Sequence, residues 1–219
     1  QDMVASLIIE QGRVKGVKTF MGKSFFSHSV VLTNGTFLNG IIHVGEKNLS
    51  GGRSGEKAAT GLTEQLLQLG FLSGRMKTGT PPRIDGRTID YNRLEVQEGD
   101  ADVARFSFTE TEIPAKQLPC HIAYTNPAVH RILEEGFEKS PMFCGRIQGS
   151  GPRYCPSIED KIVRFAHREK HQIFLEPEGL DDDTVYPNGI STSLPADIQE
   201  AFIHSIVGLE KARIIRPGY

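Results

Sequence analysis

The chain has 219 residues, 38% hydrophobic and 24% charged, with a formal net charge of -2. That composition suits one large globular domain, or a domain carrying an insertion, and no apolar run approaches the roughly 18 to 20 residues that span a bilayer, so no membrane role is expected. The near-neutral balance provides no global field for nucleic acid, so any such contact must come from a local basic patch.

Three thiols, Cys120, Cys144 and Cys155, are too few and too scattered for a disulfide framework, and no Cys-x-x-Cys or His-x-x-x-His spacing suggests a metal site. The cytosol is the expected compartment. The chain opens on QDMVASLIIE, without an initiator methionine or a signal-peptide layout, and stops at IIRPGY, so it is expected to be an internal piece of a longer polypeptide.

In chain order, MVASLIIE, RVKGVKTF and SFFSHSVVLT predict three strands of a β-meander, separated by the turn-formers QGR and MGK. The third is expected to end in a buried strand from Val30 to Thr33, running into NGTFLNG, where Gly35 permits a sharp turn or a close ligand approach. After the loop NLSGGRSGE, apolar residues at 62, 66, 67 and 69 predict a helix ended by Gly70, followed by a short strand. From KTGTPPRIDGRTIDY to about residue 118 the chain turns polar and turn-rich, as the start of an inserted lobe would.

CHIAYT predicts a strand, and NPAVHRILEEGFEK a helix with Asn126 as N-cap and Pro127 at the first helical position. Ser157 caps a helix from Ile158, with Ile158, Ile162, Val163 and Phe165 on its apolar stripe and Glu159 and Asp160 at its positive end. HQIFLEPEG is a strand, YPNGIS a turn, LPADIQEAFIHSIVGLEKA a helix of about four turns and RIIR a last strand. A meander followed by alternating strands and helices favours an α/β nucleotide-binding domain interrupted by an insertion, although Gly-x-Gly-x-x-Gly is absent.

Several stretches carry candidate chemistry. In GSGPRYCPSIEDK a thiol precedes a helix start beside Arg153, and a cation and a helix N-terminus are the two common means of lowering a thiol pKa. Cys155 can equally be a small buried hydrophobe, the usual fate of a free cysteine. The same helix start, with its glycines and arginine, has the free N–H groups that hold a phosphate. NLSGGRSGE with Arg53, and KTGTPPRIDGR with Lys77, Arg83 and Arg87, are further basic loops suited to phosphate, or else solvated turns. Glu176 and Glu178 flank Pro177, and strand alternation is expected to separate them and rule out paired acid/base work.

Taken together, TNGTFLNG, SGGRSGE, KTGTPPRID, GPRYCPSIEDK, HQIFLEPEG and YPNGISTSLP resemble, in this order and over essentially the whole chain, the signature segments of the glucose-inhibited division protein A family. Those are FAD-dependent enzymes that modify C5 of the tRNA wobble uridine. The resemblance implies part of a Rossmann-type FAD-binding domain with a β-meander at 1–71, an inserted α+β NADH-binding lobe at 72–153, and a return to the FAD domain at 154–219.

It further implies FAD as cofactor, NADH as reductant, methylenetetrahydrofolate as one-carbon donor, a partner GTPase, tRNA as substrate and a homodimer. By the same resemblance Cys155 is catalytic, and Ser50, Gly35 and Thr36 contact FAD. NAD binding falls on Gly151, Pro152, Arg153, Tyr154, Cys155, Pro156, Ser157, Ile158, Glu159, Asp160, Lys161, Ile162, Val163, Arg164 and Phe165. Lys77 and Arg83 are the candidates for phosphate or tRNA contact.

The family's Gly-x-Gly-x-x-Gly, a second active-site cysteine, the later flavin segment and the C-terminal helical region are absent from these residues, so this piece alone is expected to be inactive. Two other readings stay open at this point: a folate- and FAD-dependent tRNA uracil-5-methyltransferase, and a non-catalytic nucleotide- or RNA-binding module.

Overall fold

The computed structural model describes residues 1–112, 117–147, 149 and 156–219. These form two compact units, one of residues 1–43 and 47–78 with 147 and 149, the other of 44–46, 79–146 and 156–219.

In the first unit, β1 (Val4–Glu10), β2 (Arg13–Thr19) and β3 (Ser24–Phe26) form an antiparallel sheet in chain order. Gln11 and Gly12, both at positive φ, make the tight turn between β1 and β2. The strand expected from Val30 to Thr33 is absent: this segment pairs with no strand, and Val31 is 83% exposed. Its apolar composition suits a strand, but a strand also needs a neighbouring edge. The short strand expected after Gly70 is absent for the same reason, with Phe71 and Leu72 exposed. Next come β4 (Ile41–Val44) and β5 (Lys47–Ser50), paired with each other, and α1 (Leu62–Gln68). The Glu64 carboxylate reaches back to the Gly61 N–H at the start of α1, and Gly70 lies just past its end.

The second unit is built on a six-stranded sheet. Its elements in chain order are β6 (Arg83–Asp85), β7 (Glu95–Gln97), β8 (Cys120–Tyr124), α2 (Pro127–Glu135), α3 (Ile158–Arg164), β9 (Gln172–Gly179), β10 (Asp182–Asn188), α4 (Ala196–His204) and β11 (Ile214–Arg216). The spatial order is β11-β6-β10-β9-β8-β7, and the pairings run antiparallel. Strands from both the 72–153 and the 154–219 ranges thus share one sheet.

Period-two alternation in β9 sends Ile173 and Leu175 inward, where they join Ile84 of β6, Ala123 of β8 and Val185 of β10. Against them pack Val129 and Leu133 of α2, Ile158 and Ile162 of α3, and Phe202 and Ile203 of α4, forming one core.

The caps expected from sequence are in place. Asn126 Oδ1 accepts from the N–H groups of Ala128 and Val129, both at 3.0 Å, with Pro127 at the first helical position. Two expectations need correction. YPNGIS does not begin as a turn, because Tyr186, Pro187 and Asn188 continue β10 opposite Glu176, Leu175 and Phe174. Proline is tolerated there because β6 pairs only with Thr184 and Val185, leaving the other edge of β10 open at Pro187. The helix expected over LPADIQEAFIHSIVGLEKA stops at His204, and hydrogen-bonded turns carry Ile206 and Leu209 into the core instead.

Candidate functional site

In the first unit the two glycine-bearing stretches meet backbone to backbone. The turn from Asn34 to Phe37 is closed by the Phe37 N–H donating to Asn34 O at 3.1 Å, with Gly35 at φ 53°. Gly51 N–H donates to Gly40 O at 3.0 Å, and on either side of Leu38 Asn39 N–H donates to Ala59 O at 2.9 Å and Ala59 N–H donates to Phe37 O at 3.3 Å. A Cβ at Gly40 would lie 2.8 Å from Gly51 O, and one at Gly52 would lie 2.5 Å from Phe37 Cδ1 and 2.9 Å from its Cα. Only glycine permits this approach.

This packing brings the segment of Gly35 and Thr36 against the segment that follows Ser50. Gly35, Thr36 and Ser50 are all exposed, and a Cβ built on Gly35 meets nothing closer than 3.6 Å. These are two hydroxyls and an open turn on a rigid backbone. They fit the hydrogen-bonding edge of a flavin, with Gly40, Gly51 and Gly52 spent on packing beneath. Arg53 is exposed and pairs with Glu56 at 3.9 Å.

Of the stretch expected to bind NAD, Gly151, Pro152, Arg153, Tyr154 and Cys155 lie outside the described residues. From Pro156 onward the chain is set by α3. Ser157 Oγ accepts from Asp160 N–H at 3.2 Å, and Ile158 N–H donates to Ser191 O at 2.8 Å. The N–H groups expected to be free at this helix start are therefore taken up at Ile158 and Asp160. Ile158 and Ile162 are core residues, whereas Val163, Arg164 and Phe165 face solvent. Lys161 Nζ donates to Gly189 O at 2.6 Å.

Glu159 is fully buried. One carboxyl oxygen accepts from Thr192 Oγ1 at 2.7 Å and the other has no hydrogen-bond partner. Burial raises its pKa, because the charged form loses its water, and the hydrogen bonds it receives only partly offset this. Sequence reading placed Glu159 at a helix start as a favourable negative charge and missed its burial. Period 3.6 puts Ile158, Glu159 and Ile162 on one face, which was the available signal.

Lys77 falls in the first unit, is half-buried and is engaged in an interaction of its own. Arg83, in the second, is held by several partners: Nε pairs with Glu178, and Nη1 donates to Thr80 Oγ1 at 2.8 Å and Pro81 O at 2.7 Å. Its guanidinium carbon lies 4.2 Å from the Tyr186 ring centroid. Glu176 accepts from Asn188 Nδ2 at 2.9 Å. Glu176 and Glu178, two apart on a strand, share a face rather than being separated by alternation, but their partners hold them in different interactions.

A second ionic cluster had no sequence signal. Asp85, nearly fully buried, accepts from Arg87 N, Nε and Nη2 and from Arg213 Nη2, and the two guanidinium groups, Arg87 first, hold its carboxyl well below the usual carboxylate range. Cys120 has its thiol pKa raised by burial and by Glu176, so it is not an activated thiol, and Cys144 Sγ donates to Glu138 O at 2.7 Å. Among the described residues no cluster of three or more His, Cys, Asp or Glu could hold a metal ion, and no helix is long and apolar enough to cross a membrane.

The architecture is that of a mixed α/β chain, with antiparallel sheets and a glycine-locked turn at the end of the meander. The model of the family described as glucose inhibited division protein A matches residues 1–219, and the chain belongs to that family. It is 61% identical over its whole length to the tRNA uridine 5-carboxymethylaminomethyl modification enzyme MnmG of Cytophaga hutchinsonii, and 57% identical to the enzyme of that name from Christiangramia forsetii. The chain spans 35% of the length of each of these relatives. Among solved structures, GidA of Aquifex aeolicus superposes on the whole chain with a TM-score of 0.88 at 46% identity, this chain covering 38% of that one.

Proposed function

We propose that the chain is part of an FAD-dependent enzyme that installs a carboxymethylaminomethyl-type group at C5 of the tRNA wobble uridine. The observation that carries this reading is the 61% identity, over the whole of this chain, to a relative named for that reaction. In this reading residues 1–71 belong to the FAD-binding domain, with Gly35, Thr36 and Ser50 at the flavin edge. Residues 72–153 form the NADH-binding lobe and 154–219 return to the FAD domain, the two ranges folding around one sheet. NADH binds along 151–165, and the occupied N–H groups of Ile158 and Asp160 leave the stretch before Ser157 to meet its phosphates.

FAD, when bound, would supply hydride-transfer chemistry, with NADH as its reductant and methylenetetrahydrofolate as the one-carbon donor. The chain's own contribution is the Cys155 thiolate. It adds to C6 of uracil, moving the ring electron pair to C5 so that C5 can attack the methylene carbon joined as an iminium to the amine of glycine or ammonium, whose C=N electron pair returns to nitrogen. Loss of the C5 proton and expulsion of the thiolate then restore the ring. Lys77 remains the candidate for a phosphate contact. Arg83, bound to Glu178, Thr80 and Pro81, holds the KTGTPPR turn in shape. A partner GTPase, a homodimer and a cytoplasmic location complete the reading.

The test is mass spectrometry of wobble uridine in tRNA from cells whose only full-length gene copy carries Cys155→Ser, with flavin content measured on the purified variant. Loss of the substituent with FAD retained is the expected result. Normal modification would remove Cys155 from the chemistry.

A further inference from the structure

One strongly basic surface of the second unit extends past the stretch assigned to NADH in this reading. After α3 the chain runs through VRFAHREK, residues 163–170, all exposed, with Arg164, His167, Arg168 and Lys170 against the single acid Glu169. The run is structured. Phe165 N–H donates to Lys161 O at 2.9 Å, and Arg168 N–H closes a turn on Phe165 O at 2.8 Å. The Arg168 guanidinium lies 5.4 Å from the centroid of the Phe165 ring, which is 41% exposed and meets His167 edge-on at 6.4 Å. Lys170 Nζ stands 4.6 Å from the Tyr124 ring centroid.

The local field is positive. Beside the turn, buried His171 has its pKa lowered by desolvation first and then by His130, Lys161 and Arg168, all of them cations or potential cations, while the carboxylate of Glu134 acts on His130. A charge run on a surface is usually only a solvated face. Here two of the cations, Arg168 and Lys170, lie over the aromatic rings of Phe165 and Tyr124, and Phe165 remains 41% exposed.

We propose that this turn is an RNA-contact surface, on which Arg164, Arg168 and Lys170 take backbone phosphates and Phe165 offers a stacking face to an unpaired base. Positive charge tracking a backbone beside an exposed aromatic ring is the combination that binds single-stranded nucleic acid segments. It also meets the requirement set by a net charge of -2, that such contact be local. The choice of tRNA as probe rests on the functional reading above. Because Arg164 and Phe165 end the stretch assigned to NADH, the main variant uses the two cations outside it.

The experiment is fluorescence anisotropy of the full-length chain with an unmodified tRNA transcript across a salt series. With Arg168→Glu and Lys170→Glu combined, affinity is expected to fall about ten-fold or more. The slope of log affinity against log salt should shrink by about 1.5 to 2, the loss of two phosphate contacts. The paired change to Gln should give the same sign with a smaller loss, and an unchanged melting temperature in both variants verifies the fold. Phe165→Ala is expected to weaken binding about five-fold with the salt slope unchanged.

Parental affinity and slope in the double variant would overturn the proposal. The assay does not depend on modification: a parent that binds tRNA through this turn but leaves wobble uridine unmodified sinks the functional reading alone.

Discussion

The two units hold their shapes by different means. The second encloses Phe202, Leu133, Ile173 and Leu175 at 1% exposure or less, and its helices are fixed by the side chains they bury. The first, among the described residues, buries only Ile42, Ala58 and Leu62 of its apolar side chains and leaves Phe20, Met21, Phe25 and Phe26 open along β2 and β3. Its order comes instead from backbone hydrogen bonds and from glycines packed where no side chain fits. Apolar burial stabilises in proportion to area and tolerates drift in detail. Glycine packing contributes little energy but fixes the backbone closely, which suits a turn that must meet a ligand edge.

The largest effect that would break this contrast lies in the second unit. Phe202→Ala is expected to cost about 3 to 5 kcal/mol, the range for a fully buried aromatic, whereas Phe26→Ala in the first unit should change stability by no more than about 0.5 kcal/mol. Denaturant melts of the two variants check this, and comparable losses would mean that β3 is covered in solution.

A smaller effect sharpens the contrast. Gly52→Ala places a methyl 2.5 Å from Phe37 Cδ1 and against its backbone, so a cost of about 1 to 3 kcal/mol is expected, together with loss of flavin from the full-length protein. Flavin absorbance at full occupancy in that variant would show that the glycine contact serves packing alone.

What the sequence disclosed follows the same division. Asn126 and Ser157 were legible as caps because capping is decided within three residues. The β9 alternation was legible because Ile173 and Leu175 face one core. In the first unit, Gly35 and the SGGRSGE loop could be singled out, but not that Gly40 and Gly52 carry the close contacts. The partners of Arg83 and Asp85 were not legible: Glu178 is 95 residues from Arg83 and Arg213 is 128 from Asp85, and local pattern does not reach so far. Arg83 therefore read as a phosphate ligand when it is an internal ion-pair residue. Val30 to Thr33 failed for the converse reason, strand composition without a neighbouring strand.

The smallest effect separates two buried carboxyls of the second unit by the sign of their pH dependence. Asp85 binds its proton more weakly in the folded chain than in the unfolded one, because Arg87 and Arg213 favour the charged form. Its contribution is present above the ordinary aspartate pKa of about 4 and is lost as pH falls below it. Asp85→Asn should therefore lower stability at pH 7 and bring it closer to the parent as the medium is acidified.

Glu159 is the opposite case, since burial makes it bind its proton more tightly when folded. Its contribution is complete below the ordinary glutamate pKa of about 4.3 and fades as pH rises through the raised value, with a limiting slope of about 1.4 kcal/mol per pH unit for one proton. Glu159→Gln keeps an acceptor for Thr192 without the charge, so it should gain on the parent from pH 5 to pH 8. Urea melts at pH 2, 3, 4, 5, 7 and 8 read both slopes, Asp85 below pH 4 and Glu159 above it, and parallel profiles for the two variants would mean that Glu159 meets a counter-charge when folded.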